Sequence, residues 1–192
     1  MTNEQKKYIE NNIELIENNQ WEEFFKDAPD SVGAVLYEAG IDFITPLRYV
    51  PHSAFYRSNL QTIAIPDGVT RIGDSSFRYC RSLESVTIGN SVTSIGDSAF
   101  WECNSLESVN IPDSVTSIGH AAFWRCENLT RITIPDSVTS IGGFAFSDCS
   151  KLEINYSGTI DDWEELIGNN DRVFKNTIYT CNCIDGVVKK SR

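Results

Sequence analysis

The nine residues Ile111–Gly119, "IPDSVTSIG", recur letter for letter at Ile134–Gly142, and looser copies begin at Ile65 and Ile88. The four starts fall 23 residues apart. A fixed period of this length is the mark of a solenoid, in which each unit forms one turn and stacks on the next. The aligned units are "IPDGVTRIGDSSFRYCRSLESVT", "IGNSVTSIGDSAFWECNSLESVN", "IPDSVTSIGHAAFWRCENLTRIT" and "IPDSVTSIGGFAFSDCSKLEINY". A degenerate unit, "YVPHSAFYRSNLQTIA", precedes them and is one residue short between Phe55 and Leu60.

Each unit carries its own folding instructions. In "LESVTI" the alternation turns Leu83, Val86 and Ile88 inward and Ser85 and Thr87 outward, and the β-branched residues suit a strand. Pro112 and Pro135 cannot donate to a ladder, so Pro-Asp-Ser ends the strand in a turn. A second short extended piece follows, with Val115 and Ile118 inward. Gly119 and its equivalents permit a close bend that a Cβ would obstruct. Asp74 and Asp97 then stand where an N-cap belongs, which predicts one helical or 3₁₀ turn over "SSFRYC" and "SAFWEC". One unit buries too few side chains to fold alone, so stability has to come from stacking and from capped ends.

The pattern L-x-x-V-x-I-P-x-S-V-T-x-I-G-x-x-A-F-x-x-C resembles the BspA-like, or Treponema pallidum-type, leucine-rich repeat of bacterial and phage proteins. The resemblance covers about residues 50–156, and "INYSGTIDDWEELIGN" with "CIDG" is similar to that family's C-terminal tail. It implies a curved right-handed solenoid used to bind other molecules, and it brings no catalytic residues. The fold expected is therefore a β-rich leucine-rich-repeat solenoid with short helical or 3₁₀ turns, organised as a helical N-terminal cap (1–49), a solenoid (50–156) and a small α+β C-terminal cap (157–192).

At the start, Ile9, Ile13 and Ile16, then Trp21, Phe24 and Phe25, fall at helical spacing and predict a helix over residues 3–26. Asp30 or Ser31 could cap a second helix running through Ala39 and ended by Gly40. This head resembles the helical starts of phage-encoded proteins of the same repeat class. It reads either as a lid on the first rung or as a partner-binding head presenting Trp21, Phe24 and Phe25. At the other end, "GTIDDWEELIG" predicts a capped acidic helix with Trp163, Leu166 and Ile167 on its apolar side. "TIYTCNCIDG" predicts a final strand or hairpin.

Charge and cysteine usage narrow the function classes. The net charge of −11, with residues 1–40 carrying nine Asp and Glu against three Lys, opposes non-specific binding to nucleic acid or anionic membrane. No signal peptide and no run of about 18 apolar residues is visible, so the expected location is the bacterial cytoplasm. Cys80, Cys103, Cys126 and Cys149 occupy one repeat position and form a column, which reads as small buried filler in a reducing compartment. Cys181 and Cys183 fall short of a metal set, and no cofactor is expected.

The motifs of nucleophilic, phosphate-binding and zinc chemistry are missing. His52 and His120 share a repeat position but are separated by two intact repeats, roughly 14 Å or more at about 4.8 Å per rung. Two surfaces could instead grip a protein. The outward strand positions, from Thr62 to Thr133 and including Arg131, form a flat hydroxyl-bearing face that is either a binding surface or plain β-surface. The position after each repeat Phe reads Arg78, Trp101, Trp124, Ser147, with Arg125 beside it. Trp and Arg are the types enriched in interface hot spots, although the same rings could simply lie over neighbouring turns as outer packing. The expected function is a non-catalytic binding protein. One reading is a cytoplasmic phage or mobile-element product that inhibits a bacterial host protein such as a defence enzyme; the other is a surface adhesin.

Overall fold

The structure, a computed structural model, describes residues 1–168, 170 and 172–190. Five short helices open the chain: α1 (Asn3–Asn11), α2 (Ile13–Glu17), α3 (Trp21–Lys26), α4 (Val32–Glu38) and α5 (Ile44–Leu47). The continuous helix predicted over residues 3–26 is thus three pieces. Asn12 takes a non-helical conformation, and Asn19 is left-handed at φ 55°. Asn competes for backbone hydrogen bonds and tolerates the left-handed region, so it breaks a helix at these points. Ser31 precedes α4 as expected but is itself left-handed, and its hydroxyl donates to the Tyr56 carbonyl rather than capping the helix.

The repeats wind into a solenoid with three sides. One side is a parallel sheet of the "SI" pairs, β1 (Tyr49–Val50), β3 (Arg71–Ile72), β5 (Ser94–Ile95), β7 (Ser117–Ile118) and β9 (Ser140–Ile141). The second side carries the "SVT" strands: β2 (Thr62–Ala64) pairs with β4 (Ser85–Thr87), and β6 (Ser108–Asn110), β8 (Arg131–Ile134), β10 (Lys151–Tyr156) and β11 (Ile178–Cys183) continue in parallel. The register advances by 23 at Ser108↔Arg131 but by 22 at Tyr49↔Arg71, which places the missing residue of the degenerate unit.

The third side is made of turns. Bonds of the i→i−3 type close them, as from Trp101 N to Ser98 O and from Cys103 N to Phe100 O. Left-handed residues at Ser98 (φ 54°) and Glu102 (φ 56°), and at their equivalents in the other rungs, stop the turn from winding on as a helix. Alternate amides are thereby freed to bond the next rung: Ser98 N to His120 O, Phe100 N to Ala122 O, Glu102 N to Trp124 O. The expected N-cap aspartates act along the axis as well. Asp74 Oδ1 accepts from Asp97 N at 2.9 Å and Asp97 Oδ1 from His120 N at 2.7 Å, each from the amide at the same position of the next rung.

A stack of phenylalanines runs through the centre, Phe55, Phe77, Phe100, Phe123, Phe146 and Phe174, with neighbouring centroids 5.0–5.4 Å apart and planes within 14°. The last member lies beyond residue 156. Phe146 N donates to Val173 O, and β11 pairs in parallel with β10, so the solenoid has a sixth rung where a separate cap was expected. Between the fifth and sixth rungs, helix α6 (Ile160–Ile167) replaces the "SVTSIG" segment, capped by Thr159 and Asp162 and burying Trp163. The antiparallel strand β12 (Gly186–Lys190) closes the end as a hairpin.

Candidate functional site

The turn side brings together most of the aromatic and cationic side chains singled out in the sequence. Trp101 and Trp124 stack at 4.6 Å with planes 24° apart, and Trp124 stacks on Phe144 at 5.8 Å. The Arg78 guanidinium carbon sits 3.8 Å from the Trp101 ring centre, and Arg125 lies 5.8 Å from Trp124. Both indoles are half-buried. The Trp124 Nε1–H donates to Asp148 Oδ2 at 2.7 Å, whereas Trp101 Nε1 and Arg78 Nε are covered and have no partner among the described residues.

Asp148 is the electrostatic anchor of this side. Burial alone would raise its pKa, but hydrogen bonds from Asn176 and Trp124 and the charges of Arg125 and Lys175 outweigh it and hold the carboxyl below its ordinary value. Glu102, two rungs earlier, takes Arg81 Nη2 at 2.6 Å and Arg125 Nη1 at 3.6 Å. One carboxylate thus bridges the rungs on either side of its own.

Several members of this strip escaped the sequence reading. The column Arg78, Trp101, Trp124, Ser147 left out Tyr56 and Lys175, which stand at the same position after Phe55 and Phe174, and it does not reach Arg57, Tyr79 or Phe144. Arg57, Tyr79, Glu102 and Arg125 stand at the next repeat position, left-handed at φ 56–62°. The missed signal was that both residues between Phe and Cys are large in Phe77–Cys80, Phe100–Cys103 and Phe123–Cys126, a pattern that ends at Ser147 and Asp148.

The other expected surfaces fall elsewhere. Trp21 is 3% exposed and Phe24 fully buried, so neither can form a contact face in the folded chain; both are core residues. Phe25 is half-buried and packs on Phe24 and Phe43, and Phe43 stacks on Phe55 at 5.9 Å. Ser31 N and Ala34 N donate to Ser53 O and Ala54 O, so the head seats on the first rung through its aromatic core and its backbone. Arg131 lies exposed on the strand side, within 3.9 Å of Glu153 and away from the aromatic strip. Among the described residues no three His, Cys, Asp or Glu side chains group to hold a metal, and no helix is long and apolar enough to cross a membrane.

The four-membered thiol column is more than filler. The Sγ–H of Cys103 donates to Phe77 O at 3.1 Å and that of Cys126 to Phe100 O at 3.0 Å, each reaching the preceding rung. Thr177 makes the same bond to Phe146 O at 2.7 Å in the sixth rung. All six cysteines are free, and Cys181 and Cys183 place their sulfurs 3.7 Å apart.

A parallel solenoid with two strand sides, one turn side and a column of Phe-x-x-Cys turns defines a leucine-rich-repeat protein. The profile of the BspA type leucine rich repeat region matches residues 48–179 in six copies, and the chain belongs to that family. The six copies agree with the six rungs. A leucine-rich repeat protein of T. pallidum is 27% identical over 62% of this chain and 60% of its own, with a TM-score of 0.52. A leucine rich cell surface protein of Faecalibacterium prausnitzii is 35% identical over 62% of this chain and 34% of its own, with a TM-score of 0.57. A leucine-rich repeat protein of Bacteroides ovatus is 26% identical over 70% and 39%, at 0.53. The chain therefore spans 60% of the first of these proteins and less than half of the other two. No curated protein matches.

Proposed function

We propose that this chain is a non-catalytic protein-binding solenoid whose contact face is the turn side around Arg78, Trp101 and Trp124, and that it acts in the cytoplasm of a bacterium as a phage- or mobile-element product that binds and inhibits a host protein such as a defence enzyme. The observation that carries the binding reading is the half-buried column of stacked rings and guanidiniums. These are the side-chain types in which interface energy concentrates, and they bring rigid contact area with little further entropy to lose. The host-directed part rests on the resemblance of the helical head to phage-encoded starts, and the cytoplasmic part on six free thiols. The family's cell-surface member supports a second reading, in which the same face serves an adhesin.

The test uses tagged protein and bacterial lysate. Wild type should retain a host protein, and Trp101→Ala with Trp124→Ala should weaken that complex by about 2 kcal/mol or more while the fold stays cooperative. Unchanged binding by the folded double variant moves the contact to the strand side around Arg131. Fractionation of expressing cells separates the two locations: surface exposure favours the adhesin.

A further inference from the structure

The turn side carries a charge imbalance that packing leaves unresolved. The chain has 27 Asp and Glu against 16 Lys and Arg, so cations here have carboxylates in excess to choose from. Yet Arg57 and Arg78, one rung apart at the head end of the strip, make no ion pair with any described carboxylate. Both guanidiniums lie over aromatic rings. The Arg57 guanidinium lies 5.2 Å from the Tyr56 centroid and 5.3 Å from Tyr79, and Arg78 lies 4.9 Å from Tyr79 and 3.8 Å from Trp101. Arg78 Nη2 also donates to the Tyr79 hydroxyl at 3.2 Å. A ring beneath a guanidinium uses none of its N–H donors, so those of Arg57 and the Nη1 of Arg78 are left for an anion, with the side chains ordered beforehand.

The same side shows what such a seat accepts. Glu102 stands at the repeat position of Arg57 and ties together Arg81 and Arg125 from the rungs before and after it. A carboxylate between guanidiniums of successive rungs is thus a geometry this solenoid already uses. At Arg57 and Arg78 the chain supplies none. We infer that Arg57 and Arg78, flanked by Tyr56 and Tyr79, form a carboxylate-binding subsite that takes an acidic segment of the partner protein. The inference rests on the turn side being the contact face. A protein carboxylate fits better than a nucleic-acid backbone, because Glu102 and Asp148 interrupt the cationic strip and a continuous run of phosphates would meet them.

The test is fluorescence anisotropy of the full chain with a fluorescein-labelled glutamate homopeptide and, separately, a labelled single-stranded oligothymidylate. Wild type should bind the homopeptide in a salt-sensitive manner and the oligothymidylate more weakly. Arg57→Gln with Arg78→Gln should lose about tenfold or more in affinity, as expected for two charge-assisted forks. Arg57→Gln alone, an exposed change that leaves folding intact, should show part of that loss, and Arg131→Gln on the strand side none. Failure of the homopeptide to bind, unchanged affinity in both Arg57 variants, or tighter binding of the oligothymidylate each overturns the inference. Should the homopeptide fail while lysate capture still depends on Trp101 and Trp124, the subsite falls and the contact face stands.

Discussion

The smallest unit that carries this fold is a single hydrogen bond from a side chain to the rung below. Cys103, Cys126 and Thr177 each give one donor to the preceding Phe carbonyl; Phe77 O and Phe100 O also accept a backbone amide of their own turn, whereas Cys149 N donates to the Thr177 hydroxyl instead. A hydroxyl satisfies the position as well as a thiol does, as Thr177 demonstrates. Cys126→Ser should therefore cost less than Cys126→Ala, by about 1 kcal/mol, the typical worth of one internal hydrogen bond; urea unfolding of the two variants checks it. The thiols also set a pH limit. Burial pushes Cys103 and Cys126 well above their ordinary range and Cys149 up to about 12. A thiol that ionises later when folded contributes fully below its unfolded value, about 8.5, and the contribution is lost as pH rises toward the folded value. The unfolding free energy from urea titration should fall from pH 8.5 to 9.5, by at most about 1.4 kcal/mol per thiol, and Cys103→Ala with Cys126→Ala should flatten that slope. For Asp148 the sign is opposite. Its lowered pKa stabilises the fold above the unfolded carboxyl value and is lost as pH falls through the folded one. Trp124→Phe keeps a ring and removes one donor, so the Asp148 titration followed by NMR should shift upward.

At the scale of the element, close approach along the axis matters more than local propensity. Gly119 has an ordinary backbone conformation, but a Cβ there would stand 2.6 Å from Gly96 C and 2.7 Å from Asp97 N of the rung below. Backbone cannot move aside as a side-chain tip can. Gly119→Ala should destabilise by about 2 kcal/mol or more through overpacking, whereas Gly143→Ala, whose Cβ would meet only the His120 ring at 3.8 Å, should be tolerated. Thermal melts of the pair decide between axial crowding and a general need for glycine. The turns follow a different rule. Ser98 and Glu102 are left-handed without being glycine, each at a local cost of about 1–3 kcal/mol. Ladder bonds along the axis sustain them.

On the scale of the whole molecule, rungs are interchangeable in the middle and special at the ends. Deleting Ile88–Asn110 removes one period and should leave a shorter chain that still unfolds cooperatively, while deleting eleven residues breaks the register and should not fold; circular dichroism melts of the two distinguish them. Truncation after Tyr156 is expected to aggregate, because it strips Phe174 from Phe146 and leaves β10 an open edge. The period, the inward Val, Ile, Leu and Phe columns and the bend glycines were legible in the sequence because each depends on spacing within one unit, repeated until chance was excluded. Helices α1 to α3 were legible as apolar periodicity, though not as three pieces. What only the tertiary structure decided is everything that happens between units. Asp74 caps the next rung, Cys103 bonds the previous one, Thr177 stands in for a cysteine after a helix has interrupted the period, and Trp21 and Phe24 face the core. The aromatic–guanidinium strip belongs to the same group. Its members are adjacent along the axis and 21 to 23 residues apart in the chain, and no local pattern expresses a contact that stacking alone creates.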